Sequence, residues 1–364
     1  MVNAICTVLF ALLSLMFPAD EATIVFAGDA MQHQRQLDAA KVKGGDYDYS
    51  QCFKEVAPWI AEADYAVVNL ETTLNGRNYS GYPCFCTPDA FATALRDAGF
   101  DMMLNGNNHT LDRGASGLHR TIHVLDSLKV DHLGTYDSAH QRKDKIPFIK
   151  DINGFKVGFL NYTFCTNGLT VKDSSVVDYT DRKLMAADIE ATRRAGAELV
   201  VVIPHWGTEY RLLPDSWQKS MAEYLLDLDV DMVIGGHPHV IQPMKVRVSP
   251  KTGRRQLLVY SLGNFISGMR TTDTRGGALV LTRITRDAKG RAQFDTAEYR
   301  LVYVLPGTSP ANNYQLVYID PATSVSAAAG PMASACRAFT ANALRIFDNN
   351  NVDVPRYGAQ PTKP

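Results

Sequence analysis

The chain is 364 residues long, 46% hydrophobic, 21% charged and 9% aromatic, with a formal net charge of −1. That length allows one large α/β domain or two ordinary ones, and the composition is that of a globular protein. A near-neutral balance with no Lys/Arg run argues against nucleic acid as a partner.

The first 22 residues, MVNAICTVLFALLSLMFPADEA, carry an apolar run from Ala4 to Phe17 with no charge before Asp20. Such a run is short for a membrane span and suits the core of a signal peptide. The segment is expected to send the chain to the periplasm or cell envelope, either cleaved or kept as a membrane anchor. A buried first helix is the bland alternative. Cys6 would leave with this leader. The other cysteines, Cys52, Cys84, Cys86, Cys165 and Cys336, are too scattered for a disulfide framework. The pair in PCFC lacks a second pair to form a thiolate metal site, so these read as loop or core residues.

Beyond the leader, apolar runs ending in polar residues predict buried strands over 23–30, 63–71, 99–109, 130–136, 197–207 and 230–239. Helical patterns fall between them, near 50–62, 88–98, 114–128, 181–195 and 214–228. Strand–helix alternation with fully apolar strands argues for α/β layering. From about 254 the texture changes. QLLVYSLGNFISG, GALVLTRITR and QFDTAEYRLVYVL follow without long helices between them and read as antiparallel strands completing or covering a sheet. The stretch 306–330, rich in Pro, Gly, Ser and Ala, reads as a linker or irregular loop, ahead of a helix over 331–348 and a polar tail. The expected organisation is a leader at 1–22, a main domain at 23–305, and a C-terminal loop, helix and tail at 306–364.

Nearly every strand of the first 240 residues ends on a side chain that can bind metal: Asp29, Glu71, Asn108 with His109, His205, and His237 with His239. In open α/β sheets the carboxyl ends of the strands build the site. His237 and His239 follow the apolar run VDMVIGG, and in extended chain such a spacing sends both rings to one side. Imidazoles with carboxylates and a carboxamide suit Mn, Fe, Zn or Mg rather than a thiolate-seeking ion. The set exceeds the needs of one ion and fits two, about 3.5–4 Å apart, with Glu71 as the bridge. Other polar residues have plainer readings. His119 and His123 share a helix face with Asp126 and read as solvated. His132 and His140 have no partner that the sequence names, and Trp206 reads as packing. Arg35 and Arg113 flank the ligand blocks and are candidates for steering an anionic substrate. There is no G-x-G-x-x-G after a strand, no P-loop and no G-x-S-x-G, which leaves nucleotide-cofactor and serine-hydrolase chemistry without support.

The blocks FAGDAMQH, NLETTL, GNNHTLDRGASGL, VIPHWGTEY, GGHPHVIQP and YSLGNF, in order over roughly 23–285, resemble the CapA/PgsA family of capsule and poly-γ-glutamate synthesis. That resemblance implies a calcineurin-like metallophosphatase fold, a four-layer α/β/β/α sandwich. Asp29 stands where the first phosphatase aspartate would stand. His33 falls at D-x-x-x-H in place of D-x-H, a departure that makes it the least secure ligand. Glu71 occupies the position of the bridging aspartate, and Asn108 and His109 match the Asn-His pair. Asn108, His205, His237 and His239 would bind metal, His109 would protonate a leaving group, and Asp112 would orient it. Glu209, Tyr210 and Asn264 are candidate substrate contacts. The family implies an anionic surface polymer or its precursor as ligand, and membrane-bound synthesis or export proteins as partners. Hydrolysis of a phosphoester or amide, metal-dependent polymer binding without catalysis, and a fold with a decayed site all remain open; the full ligand set argues against the last.

Overall fold

The computed structural model describes residues 21–358. The expected leader therefore lies outside the described residues, except Glu21 and Ala22, which already pair with Thr285 and Ile284 in the first strand. The first half of the chain forms strands β1 (Glu21–Ala30), β2 (Tyr65–Leu70), β3 (Met102–Leu104), β4 (Asp131–Leu133), β5 (Thr135–Tyr136), β6 (Phe148–Ile152), β7 (Phe155–Thr163) and β8 (Val176–Val177). The second half adds β9 (Leu199–His205), β10 (Met232–Ile234), β11 (Met244–Val248), β12 (Arg255–Val259), β13 (Asn264–Ile266), β14 (Gly276–Arg286), β15 (Ala292–Leu305) and β16 (Gln315–Tyr318). The helices are α1 (Gln34–Ala40), α2 (Ala57–Ile60), α3 (Asp89–Asp97), α4 (Gly114–Leu128), α5 (Ala139–Lys145), α6 (Arg182–Arg194), α7 (Ser216–Asp227) and α8 (Ala333–Asn350).

Two sheets result. One runs β16-β15-β14-β1-β2-β3-β4, with β13 beside the end of β1; the other runs β11-β12-β10-β9-β7-β6. In the first, β1 to β4 are parallel and β14 to β16 antiparallel. In the second, β7, β9, β10 and β12 are parallel, flanked by antiparallel edges β6 and β11. Side-chain alternation assigns the layers. Ile24, Phe26, Val67, Met102 and Leu104 face a core shared with Val157, Phe159, Val201 and Val233 of the other sheet. Val25, Ala27, Ala66, Val68 and Met103 face the opposite way, onto Phe53, Ile60, Phe91, Leu95 and Leu125. Met185 and Ile189 of α6 and Met221 and Leu225 of α7 cover the second sheet. The outcome is the expected α/β/β/α sandwich.

Several local expectations change. The segment 50–62 is mostly a chain of turns, because Cys52 N–H reaches Tyr49 O and Val56 N–H reaches Phe53 O across three residues, and regular helix is confined to α2. The hairpin β6–β7 was not anticipated, although Asn153-Gly154 joins it with both residues at positive φ (51° and 83°). In the region expected to be purely antiparallel, β12 runs parallel to β10 and β13 parallel to β1. The stretch read as a linker contains β16, which extends the first sheet beside β15. After it, α8 lays Phe339 and Phe347 on Tyr303 and Tyr299 of β15, with ring centroids 5.8 and 4.5 Å apart.

Candidate metal centre

The parallel strands of both sheets deliver their carboxyl ends to one place. Asp29 is the penultimate residue of β1, Glu71 follows β2, His205 closes β9, and Asn264 opens β13. Asn108 and His109 lie on the loop after β3, and His237 and His239 on the loop after β10. Gly28 permits this convergence: a Cβ there would sit 1.9 Å from Gly263 O, so only glycine lets β1 and β13 approach.

The histidine pair does not use strand alternation. β10 ends at Ile234, and the two residues sit in a turn with left-handed backbone, φ 97° at His237 and 58° at His239. Left-handed geometry is costly for residues with a Cβ, and it turns both rings toward the same pocket. His237 N–H donates to Asp29 Oδ2 at 3.3 Å, which ties this turn to β1.

Six side chains then converge. Asn108 Oδ1 lies 2.8 Å from His205 Nε2, which lies 3.2 Å from His237 Nδ1 and 3.6 Å from Glu71 Oε1. Asp29 Oδ2 lies 3.1 Å from His239 Nδ1, while His239 Nε2 lies 3.7 Å from Glu71 Oε1. Glu71, His205 and His237 can meet on one point, and Asp29, Glu71 and His239 on another. Glu71 belongs to both groups. Its Oε1 is fully buried and finds no hydrogen-bond donor among the described residues. A buried, unsatisfied carboxylate oxygen is costly, and the imidazoles of His205, His239 and His109 surround it. Ligand atoms each about 2.0–2.2 Å from one ion stand roughly 3–3.5 Å apart. The donor set fits divalent metal.

The electrostatics agree. Burial, reinforced by the charges of Asp29 and Glu209, pushes the Glu71 carboxyl well above the usual range. Burial holds His205 down at about 3 against the pull of Asp29, and with the charge of His205 it holds His237 well below its usual value. Burial alone would raise Asp29, but the His239 hydrogen bond and the charges of His239 and His205 keep it below the ordinary carboxylate range. The rings of His205 and His237 are thus biased toward the neutral, lone-pair-bearing form that a cation binds.

His109 stands at the edge of the cluster. Its Nδ1 pairs with Asp112 Oδ2 at 2.7 Å, its Nε2 is 4.0 Å from Glu71 Oε1, and its ring meets Phe85 edge-on at 4.6 Å. Asp112 is itself fixed by Phe85 N–H at 2.6 Å. His33 is not brought into either ligand group. It precedes α1, accepts from Gly268 N–H through Nδ1 at 3.2 Å, and packs on Phe85 at 5.1 Å. Glu209 has moved the other way: with His237 and His239 it forms a third group of ligand atoms. Tyr210 is 55% exposed and its N–H donates to Pro238 O at 2.8 Å, which seats this loop on the histidine turn. Asn264 is wholly buried, with Oδ1 3.1 Å from His239 Nδ1 and Nδ2 bonded to Thr274 O.

Sequence reasoning passed over three asparagines. Asn69 donates to Asp29 Oδ1 at 2.8 Å and to Glu71 Oε2 at 3.2 Å, so one amide holds two carboxylates in register. Asn107 bonds Asn69 Oδ1 and Leu70 O, and its own Oδ1 accepts from His109 N–H. Asn161 receives Gly106 N–H at 2.7 Å and bonds Ile203 O at 2.8 Å, which stitches the two sheets beneath the site. The signal for Asn69 and Asn161 was a lone carboxamide inside an apolar strand, VVNLE and FLNYT, and for Asn107 its place beside Asn108 in GNNH. Elsewhere, His132 is buried between Asp126 and Lys145, and His119 is held by Asp137 and Asp173. Arg113 is engaged by Asn78 O, Ser80 Oγ and Cys84 O.

Residues 23–269 match the sequence profile of the bacterial capsule synthesis protein family PGA_cap. The chain belongs to that family. It is 27% identical over 272 residues to the capsule biosynthesis protein CapA of Bacillus anthracis, covering 72% of this chain and 63% of that one. With the PGA biosynthesis protein CapA of Bacillus subtilis the identity is 28% over 278 residues, covering 75% and 70%. The chain thus matches just under two thirds of the length of the anthracis relative. Among solved structures it is similar to the calcineurin-like phosphoesterase YfkN from Bacillus subtilis, at 12% identity and a TM-score of 0.46, covering 80% of this chain and 92% of that one. Among the described residues no helix is long and apolar enough to cross a membrane.

Proposed function

We propose that this chain is an exported, metal-dependent hydrolase that serves synthesis or release of an acidic surface polymer, cutting a phosphoester or an amide. The observation that carries the reading is the buried Glu71 Oε1, without a donor and ringed by His205, His239 and His109. Asp29, Glu71, Asn108, His205, His237 and His239 would hold two divalent cations, with Glu71 shared. Bound there, such ions activate water and polarise the bond to be cut. The names of the Bacillus relatives supply the polymer context, and the apolar run at Ala4–Phe17 supplies export.

The chain's own residues divide the remaining work. Asn69 keeps Asp29 and Glu71 at a fixed separation. Asp112 takes the Nδ1 side of His109, so Nε2 faces the cluster and can carry a proton to the leaving group. Phe85 packs perpendicular to that ring and fixes its tilt. Tyr210, exposed beside the histidine turn, offers a surface to the substrate, and Asn264 positions His239 from behind.

The test is metal content by elemental analysis of the purified protein, beside His237→Ala and His109→Ala. The expected result is near two equivalents in the parent, clear loss in His237→Ala, and retention in His109→Ala. With metal kept, His109→Ala should lower turnover of phosphoester or γ-glutamyl substrates by about 10²–10⁴. Indifference of turnover to His109→Ala would instead favour polymer binding without catalysis. A parent that takes up no Mn, Fe, Zn or Mg would overturn the reading.

A further inference from the structure

A cavity of about 150 Å³ beside the metal cluster is lined by Arg35, Arg270 and Arg275 together with Gly268, Val304 and Tyr314. No aspartate or glutamate is in its wall. None of the three arginines has an ion-pair partner among the described residues, whereas Arg120, Arg142, Arg247, Arg286 and Arg300 all do. The three come from different parts of the chain, Arg35 from α1, Arg270 from the segment after β13, and Arg275 from the residue before β14. Their charges all bear on the Tyr314 phenol, which burial pushes up and they draw back. Arg275 is held in place by its Nε, which donates to Arg270 O at 3.0 Å.

Concentrated positive charge without a counter-charge is unfavourable in the free protein and is relieved by an anion. Guanidinium forks bind carboxylate or phosphate in a bidentate manner. The position matters as much as the charge. Gly268, in the cavity wall, donates to His33 Nδ1 at 3.2 Å. Its neighbour Met269 accepts from Asn264 Nδ2 at 3.4 Å, and Asn264 Oδ1 faces His239 at 3.1 Å. Asn264 is thus the single buried residue between Met269 in the cavity wall and His239 in the metal cluster, which places the two neighbouring sites within reach of one extended polyanion.

We propose that Arg35, Arg270 and Arg275 form an anion subsite that holds a carboxylate of an acidic polymer while a neighbouring unit lies at the metal cluster. This rests on the polymer context proposed above and extends it, because it fixes which side of the cluster the chain runs along. It also assigns Arg35 the steering role that its place next to a ligand block predicts, and leaves Arg113 as a structural residue.

The experiment is fluorescence anisotropy of a labelled γ-linked glutamate decamer with the metal-loaded protein, the Arg35→Ala/Arg270→Ala variant and the charge-keeping Arg35→Lys/Arg270→Lys variant. Arg35 and Arg270 are exposed, so neither variant disturbs packing. The expected result is at least tenfold weaker binding in the alanine variant, a smaller loss in the lysine variant, a shallower salt dependence, and unchanged metal content. Unlabelled polyglutamate should displace the probe, and inorganic phosphate should do so only weakly. Equal affinity in parent and alanine variant, no binding by the parent, or displacement by phosphate alone would overturn the subsite. Failure of the metal reading is separable: arginine-dependent binding by a protein that takes up no metal would sink the hydrolase and keep the subsite.

Discussion

At the scale of single residues, His237 carries two opposed demands. Its ring belongs to the ligand group with Glu71 and His205, yet its backbone sits at φ 97°, a region that L side chains rarely adopt. Such a conformation costs of order 1–3 kcal/mol and persists where the surroundings hold it; here Asp29 does so through the His237 N–H. Two substitutions separate ring from backbone. His237→Ala removes the ligand and keeps the strain, whereas His237→Gly removes both. Both should lose metal. In chelator, however, His237→Gly should be the more stable by about 1 kcal/mol, read as a melting temperature higher by a few degrees. Equal melting of the two variants would show that the turn is unstrained. The candidate ligands stand out in the sequence because each is a polar residue at or just after the end of an apolar run. The three asparagines beneath them do not, since a buried Asn becomes meaningful only once its distant partners are known: Asp29 lies 40 positions from Asn69, Asn69 lies 38 from Asn107, and Gly106 lies 55 from Asn161. His33 and Glu209 were assigned by position in a motif, and backbone direction has moved them: α1 turns His33 onto Phe85, while the bond from Tyr210 N–H to Pro238 O brings Glu209 to the histidines.

Among the elements, what was legible followed from periodicity. The parallel strands β1, β2, β9 and β10 are buried on both faces and read as continuous apolar runs. Strand β6 is obscure in the sequence because its residues are only half-buried and mixed in polarity, although Asn153-Gly154 marks its hairpin. Strand direction after 254 could not be read, because β12 and β13 owe their parallel pairing to β10 and β1, contacts that no local pattern encodes. The close approach of β13 to β1 yields a prediction at this scale. In Gly28→Ala the new Cβ would meet Gly263 O at 1.9 Å, a backbone atom with no rotamer to yield. The strands must separate, and Asp29, whose N–H donates to that same Gly263 O at 3.0 Å, must move with them. A loss of about 1–3 kcal/mol is expected, with weakened metal retention on dialysis although no ligand has changed. Unaltered melting together with full metal content would show that the strand contact does not position Asp29.

For the molecule as a whole, the stretch after 305 is not an appendage. β16 completes the first sheet, α8 packs on β15, and Val352 and Tyr357 hydrogen-bond with Met244 and Tyr299. Outside the metal cluster, the sandwich also buries carboxyls whose titration should govern its stability in mild acid. Asp231, ahead of β10, is held by Arg254 at 2.7 Å and by Val200 N–H at 2.8 Å, yet burial outweighs both and raises it to about 6. Asp178, beside Arg142, is raised to about 6 by the same dominant cause. A carboxyl near 3.9 in the unfolded chain and near 6 in the fold binds more protons in the fold between those values. Its contribution is fully present below about pH 4 and is lost as pH rises through about 6, so stability should fall over that window. The opposite slope is usual for paired surface carboxylates, which makes the sign diagnostic. Asp231→Asn keeps the acceptor for Val200 N–H and removes the titration. Measured in chelator by urea unfolding at intervals from pH 4 to pH 7, the parent should lose stability relative to Asp231→Asn by on the order of 1–3 kcal/mol. Asp178 should leave a residual slope in the variant. A constant difference between parent and variant across that range would mean that Arg254 and Val200 N–H keep Asp231 ionised throughout, and that the ion pair, not burial, sets its charge.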